Sequence, residues 1–349
     1  MKKYNSRNSF FKLLRNLVLF SLPFMACAAV YVHDDPFRVL RHYDNYDTVA
    51  RVNENYVGWQ IYKSHVDSLH YNSYILGNSC TMAFRCRDWE SYLDKGDQAI
   101  RLYANAESLK AIDLKLHALD KAGARIKNVL LVLDDNSLGK TQLDEGYTHA
   151  LPPEISGGSN CDFQLRFVQA FFRPEFIFKY LWGKVTGHYS PKWKDFNTYG
   201  HTIDPLNNDL YNPREKMIAS EGVRYWTIHT KDFPSRKATA GTTRARVIWG
   251  EQKKLLLDIA RVLAQHHARV QVLLSPEYDQ SRLNPQDVST LRRIFGTSNV
   301  HDFTGVNVYS TDLHNFYEKA HYRPVLGRKL LDAVYGNDHK AAASPAATR

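Results

Sequence analysis

IRLYANAESLKAIDLKLHALDKAGARIKNVLLVLDD, residues 100–135, carries the pattern that decides the fold. Ile100 to Tyr103 is a short run, and Leu109, Ile112, Leu116 and Leu119 then recur at steps of three and four residues. That spacing predicts a helix from about Ala106 to Ala122, with Gly123 placed to stop it. VLLVL at 129–133 follows, a continuous apolar run suited to a strand covered on both faces. Strand, helix, strand is the rhythm of a parallel sheet.

The rhythm extends in both directions. Upstream, Ser73 to Leu76 is another short apolar run, and Trp89 to Leu93 falls in a helical stretch. Downstream, Ile248, Leu255, Ile259, Val262 and Leu263 form the apolar face of a helix predicted from about Arg244 to His267. The strand RVQVLLS (269–275) comes next, then a helix around Pro285 to Phe295, a short strand near Val300 to Phe303, and a last helix opening near Pro324. These elements predict an α/β three-layer sandwich with a mainly parallel, flavodoxin-like sheet. The pattern breaks between about 137 and 240, which reads as an insertion. Phe167 to Trp182 is expected to be helical despite Pro174, and Pro191 to Pro213 to be loop. The insertion's aromatic residues read as its own small core, with one wall of a substrate cleft as the alternative. Residues 34–70, polar and aromatic with weak periodicity, read as a linker and edge. The domain is expected to span 34–336, with 337–349 a disordered tail.

Composition bounds the partners. A chain of 349 residues with 44% apolar content can bury a large core. Its net charge of +10 owes about half to Lys2, Lys3, Arg7, Lys12 and Arg15, all before the first acid at Asp34, so no basic block remains to bind nucleic acid. From Asn16 to Val32 there is no charge. A basic flank followed by an apolar run predicts a signal anchor at residues 1–33, single-pass in the cytoplasmic membrane, with the domain outside the cytoplasm. Ala26-Cys27-Ala28 offers the alternative of cleavage. Four cysteines permit one disulfide, for which Cys86 and Cys161 are the candidates. No Cys or His spacing forms a metal motif, and adjacent His266 and His267 point to different sides of their helix. No cofactor or metal is expected.

Ligands of open α/β sheets bind beyond the carboxyl ends of the strands. Gly77-Asn78-Ser79 lies at such an end and before a helix, placing a hydroxyl where backbone amides can stabilise negative charge; a helix N-cap is the plainer alternative. Near the C-terminus, NFYEKAHYRPVLG (315–327) sets Glu318 three residues before His321, the spacing of an acid that orients an imidazole, or of a surface ion pair. Cys80 is a lesser nucleophile candidate because its side chain points away from that of Ser79. Asp312-Leu313-His314 imitates the dyad. Asp134 and Asp135 end a strand, positioned for a cation, for a sugar, or for solvent alone.

Serine near the first strand and acid-x-x-His near the end resemble the first and last blocks of SGNH (GDSL-like) hydrolases. Asp35-Pro36-Phe37 after the anchor, ILGNSCTMAF (75–84), ANAESL (104–109), IKNVLLVLD (126–134) and FYEKAHYRPVLG (316–327) are similar to membrane-anchored SGNH-like proteins of bacterial envelopes. Related proteins assist D-alanyl transfer to teichoic acid and acetylation of exopolysaccharide. The resemblance implies Ser79 as nucleophile, His321 as base and Glu318 as its orienting acid. The N–H groups of Ser79 and Ala106 would be oxyanion donors, joined by the Asn105 side chain. It departs from the family in having Glu318 for the usual Asp, Ala106 for the usual glycine, and no Gly-x-Asn third block, for which Asn136 is the nearest substitute. The implied function is a serine esterase or O-acyltransferase acting on acyl esters of envelope glycans, with a membrane acyltransferase as possible partner. The alternative is an inactive scaffold or glycan-binding protein of an envelope-assembly complex.

Overall fold

A computed structural model describes residues 6–342, apart from 191, 194, 195 and 197–199. The chain opens with α1 (Ser6–Asp34), and α2 (Glu54–Leu69) leads into β1 (Ser73–Gly77). After α3 (Cys86–Glu90) come β2 (Ala99–Tyr103), α4 (Leu109–Lys121), β3 (Asn128–Leu133) and the short α5 (Asp135–Gly139). The inserted stretch holds α6 (Pro153–Ser156), α7 (Asn160–Phe171), α8 (Pro174–Thr186), the strand pair β4 (Thr202–Ile203) and β5 (Leu210–Tyr211), α9 (Arg214–Glu221) and α10 (Tyr225–Ile228). Then follow α11 (Gly250–Gln265), β6 (Arg269–Leu274), α12 (Pro285–Phe295), β7 (Val300–Asp302), α13 (Val308–Thr311), the hairpin of β8 (Phe316–Glu318) and β9 (His321–Tyr322), and α14 (Pro324–Ala342).

The five expected core strands form one all-parallel sheet in the order β2-β1-β3-β6-β7. Alternate residues serve opposite faces. Tyr74, Leu76, Val129, Leu131 and Val272 pack with residues of α2, α4, α11 and α12. Ile75, Leu130, Val132 and Leu273 pack with Phe84, Trp89 and with Leu326 and Leu330 of α14. Helices thus cover both faces, an α/β arrangement compatible with a three-layer sandwich. The strand order reverses between β1 and β3, so the crevice beyond their carboxyl ends is where a ligand site belongs. The edge strand β2 is covered by the insertion: Arg101 N–H donates to Asn207 O (3.0 Å), and Asn208 Nδ2 donates to Arg101 O (2.7 Å).

Several expectations are corrected. Residues 34–70 are not mere linker: α2 buries Val57, Trp59, Ile61 and Tyr62. The helix expected over 167–182 is two helices, because Pro174 cannot continue α7 and instead opens α8. Within 191–213, expected as loop, β4 and β5 pair antiparallel; 191, 194, 195 and 197–199 lie outside the described residues. The helix expected from Arg244 starts only at Gly250, since the Asp287 carboxylate accepts from the N–H groups of Val247 (2.8 Å) and Ile248 (3.0 Å) and holds that segment out of the helix. The C-terminal helix runs to Ala342, into the stretch expected as tail; 343–349 lie outside the described residues. No Cys86–Cys161 bridge exists: all four cysteines are free, Cys86 buried and Cys161 exposed on α7.

The insertion's aromatic residues build a core that they share with the N-terminal segment. Phe163, Phe167, Phe171, Phe176, Tyr180 and Phe196 cluster together with Phe37 and with Tyr31 at the end of α1. That N-terminal helix is long and apolar enough to cross a membrane and is unburied over its apolar length.

Candidate active site

The serine turn is built from a close approach. Gly77 has φ +144°, and a Cβ there would lie 2.1 Å from Val132 O on β3, so only glycine lets β1 turn this tightly. Asn78 then caps a single 3₁₀ turn, Ser79–Ala83: its Oδ1 accepts from Cys80 N–H (2.9 Å). Its Nδ2 donates to Asp134 Oδ2 (2.5 Å) and Ser137 Oγ (3.0 Å), tying the turn to the end of β3. Asp134 also caps α5 through Ser137 N–H (2.7 Å). Asp134 is therefore a brace for the serine turn, a role the sequence reading did not assign.

Facing it, the β8–β9 hairpin pairs Glu318 with His321. His321 Nε2 lies 2.9 Å from Ser79 Oγ, and His321 Nδ1 lies 2.5 Å from Glu318 Oε1. The second carboxylate oxygen of Glu318 accepts from Ala320 N–H at 2.7 Å. Burial alone would raise the Glu318 carboxyl, but the hydrogen bond and charge of His321, the Ala320 N–H and the Arg214 charge bring it below its ordinary value. A carboxylate fixed on Nδ1 sets the tautomer that leaves Nε2 to accept the serine proton. α14 follows the hairpin and docks on the serine turn, where a Cβ on Gly327 would fall 1.9 Å from Ala83 O. The insertion props the same hairpin from behind: Arg214 Nη1 (3.0 Å) and Tyr225 OH (2.8 Å) donate to Tyr317 O, and Trp226 Nε1 donates to Phe316 O (3.1 Å).

Ala106 lies on a loop after β2 and lines the same pocket as Ser79. Its φ is +50°, the left-handed region glycine favours, so an alanine here is held in a strained conformation by its surroundings. Those surroundings are charged. Glu54 at the start of α2 accepts from Asn105 N–H (2.8 Å) and from Asn105 Nδ2, while buried Glu107 pairs with buried Lys115, and Lys140 Nζ donates to Ala106 O (3.2 Å). The N–H groups of Ser79 and Ala106 are taken up by no other group among the described residues. Asn105 is the exception to the expected donor set: its amide nitrogen is committed to Glu54 and it does not line the pocket. Asn136 does line it.

The pocket has a volume of about 450 Å³. In the pocket lining, Arg244 reaches Asp135 (2.5 Å), Asp279 (2.8 Å), Glu277 and Ser281 Oγ (2.6 Å), tying the start of α5, after β3, to the loop after β6. Burial raises the Glu277 carboxyl well above the ordinary range; Arg244 opposes this and the neighbouring Asp135, Asp134 and Asp279 reinforce it. Pro234, Ser235, Arg236 and Thr239 from the end of the insertion complete the cleft, so the insertion supplies a wall, with polar residues rather than its Trp and Tyr. Sequence reading missed Glu54 and Arg244. Neither stands in a motif, and each is joined to its partners only by the fold.

The lesser candidates separate cleanly. Burial, with nearby carboxylates, raises the Cys80 thiol far above its ordinary value, which denies it a thiolate. Asp312 and His314 do pair (2.9 Å), but as an exposed couple packed on Trp226. His266 bonds Asp120 (2.8 Å). One group among the described residues, Asp113, His117 and Asp258, brings ligand-type atoms within 4.8 Å of one another; it joins α4 to α11 outside the pocket and is already paired with Lys110 and Arg261. No known family model matches the chain, and no characterised protein or solved structure is detectably similar to it.

Proposed function

We propose that the chain is a membrane-tethered serine esterase or O-acyltransferase of SGNH type, acting outside the cytoplasm on acyl esters of cell-envelope glycans. The observation that carries this reading is the line of bonds Ser79–His321–Glu318, at 2.9 and 2.5 Å, between residues from opposite ends of the domain. Ser79 Oγ attacks the ester carbonyl carbon while its proton passes to His321 Nε2. The tetrahedral oxyanion takes hydrogen bonds from the N–H groups of Ser79 and Ala106. The bond from the acyl carbon to its carrier, the glycan oxygen for an esterase or the membrane donor for a transferase, then breaks, and His321 returns the proton to that leaving group. Water or a second sugar hydroxyl, deprotonated by His321, attacks the acyl-enzyme and releases Ser79. Water gives an esterase and a hydroxyl a transferase. A membrane acyltransferase presenting the donor acyl group would be the partner in the second case, and neither needs a cofactor.

A second reading, an inactive scaffold or glycan-binding protein of the same fold, is favoured by one feature: Asn105 is bound to Glu54, which leaves two backbone donors without a side-chain third. The test is acetate release from O-acetylated envelope polysaccharide and from a nitrophenyl acetate, by the full chain and by Ser79→Ala. Release that depends on Ser79 supports the enzyme; equal release by both proteins removes it. Saturable glycan binding without release supports the scaffold.

A further inference from the structure

The apolar helix α1 ends against the insertion, at one particular element. Asp34, its last residue, accepts hydrogen bonds from Tyr180 OH (2.9 Å) and Lys184 Nζ, both on α8, and Tyr31 one turn earlier packs its ring 5.1 Å from that of Phe171. α8 therefore lies where the apolar span gives way to the domain. Its buried residues, Phe176, Tyr180 and Gly183, face the aromatic core. Its opposite side is apolar and open: Phe178 is 64% exposed, Trp182 51% and Val185 86%. At 3.6 residues per turn these three fall within a sector of about 60°. Phe178 and Trp182 stack with ring centroids 6.0 Å apart, one continuous apolar surface. Single exposed apolar side chains are ordinary on any protein, but a stripe of this kind marks a surface that something covers.

We infer that α8 lies on the lipid bilayer, with Phe178, Trp182 and Val185 in the interface beside the point where α1 enters it. The occupant is argued from continuity: an element bonded to the last residue of a membrane-spanning helix sits at headgroup level. Trp and Phe on the outward face of a helix suit that level, since the indole keeps its apolar body in the acyl boundary and its N–H among the headgroups. Lys179, adjacent in sequence to Phe178, carries its charge on a long stem suited to the headgroups. The domain is then held at two points, by α1 and by α8, which fixes its orientation on the membrane rather than leaving it to swing on a tether. The inference rests on the anchoring of α1.

Trp182 supplies the probe. The full chain is reconstituted in phosphatidylcholine–phosphatidylglycerol vesicles with and without brominated acyl chains, and tryptophan quenching is compared with that of Trp182→Phe and Trp249→Phe. Trp249 is also exposed (58%) but belongs to the segment before α11. The expected result is that Trp182→Phe loses most of the lipid-dependent quenching, that Trp249→Phe loses little, and that Val185→Trp in the Trp182→Phe chain restores it. Equal quenching in the parent and Trp182→Phe overturns the inference. So does a Trp182 shielded from both brominated lipid and aqueous iodide, which would mean that a second copy of the chain covers the stripe. Leu17→Trp in α1 separates the two claims. If it is quenched while Trp182 is not, α1 is anchored and α8 is in water; if it is unquenched, the anchoring reading fails and this inference falls with it.

Discussion

On one side of the pocket Ser79, His321 and Glu318 are joined by bonds of 2.9 and 2.5 Å; on the other, Ala106 offers its N–H from a left-handed conformation, φ +50°, on a loop held from behind by Glu54. The acid–base side is made of side chains meeting at the ends of regular elements. The proposed oxyanion side is made of backbone, and its geometry depends on residues behind it, Glu54 and Asn105, that do not line the pocket. Side-chain chemistry can therefore be complete while the electrostatic half is tuned, or weakened, by a methyl group and a buried carboxylate.

The comparison can be broken from either side. Replacing His321 with Ala is expected to have the largest effect, lowering ester turnover by about 10⁴-fold or more in single-turnover assays, because serine is a weak nucleophile without its base. Glu318→Gln is expected to cost up to about 10⁴-fold through the wrong imidazole tautomer. Glu318→Asp, which installs the acid usual in the hydrolases that the motif resembles but draws the carboxylate back by one methylene, should lose roughly 100-fold, since the hairpin here is built around the longer side chain. The acid also leaves a thermodynamic signature. Its carboxyl lies below the ordinary value in the folded chain, so its contribution to stability is full above the unfolded glutamate value of about 4.3 and is lost as pH falls through the lower folded value. The melting temperatures of the parent and Glu318→Gln should accordingly converge as the solution is acidified below about pH 4.

Smaller effects sharpen the other half. Glu54→Gln keeps one acceptor for Asn105 but loses the charge that clamps the loop, and should lower kcat by roughly 100-fold with little change in KM, the mark of a misplaced donor. Ala106→Gly should be the smallest change and the opposite in sign. Removing the methyl at positive φ relieves about 1 kcal/mol of strain, readable as a higher urea midpoint, and should leave turnover equal or faster. Slower turnover in that variant would show that the methyl helps to shape the site.

The parts of this architecture legible in sequence are those set by local period. The core strands are short runs, continuous and apolar in β3 and interrupted by Arg101 in β2 and Gln271 in β6, and Ser79, His321 and Glu318 sit at strand ends or beside a Pro-opened helix, where chain direction fixes their placement. What escaped is long-range. α2 hides because two sides of it are buried, one carrying Val57 and Ile61 and the other Asn55, Trp59 and Tyr62, so no clean apolar stripe appears. Arg244 falls within the helix predicted from the Ile248–Leu263 face; Asp287, 43 residues away from it in sequence and bonded to Val247 and Ile248, and Arg282, whose carbonyl accepts from Arg244 N–H, keep the segment extended and free the guanidinium for the pocket. The Cys86–Cys161 pairing failed for the same reason. Cys86 is anchored beside the sheet by Asp209, while Cys161 rides on α7 in a separate aromatic core.

In the proposed mechanism Ser79 is an activated nucleophile. Labelling the full chain with a fluorophosphonate probe tests it most directly, comparing the parent with Ser79→Ala and His321→Ala, each shown to be folded by its near-ultraviolet circular dichroism. Stoichiometric labelling of the parent at Ser79 and none in either variant is the expected result. A folded parent that does not label, or that labels equally after Ser79→Ala, would contradict it.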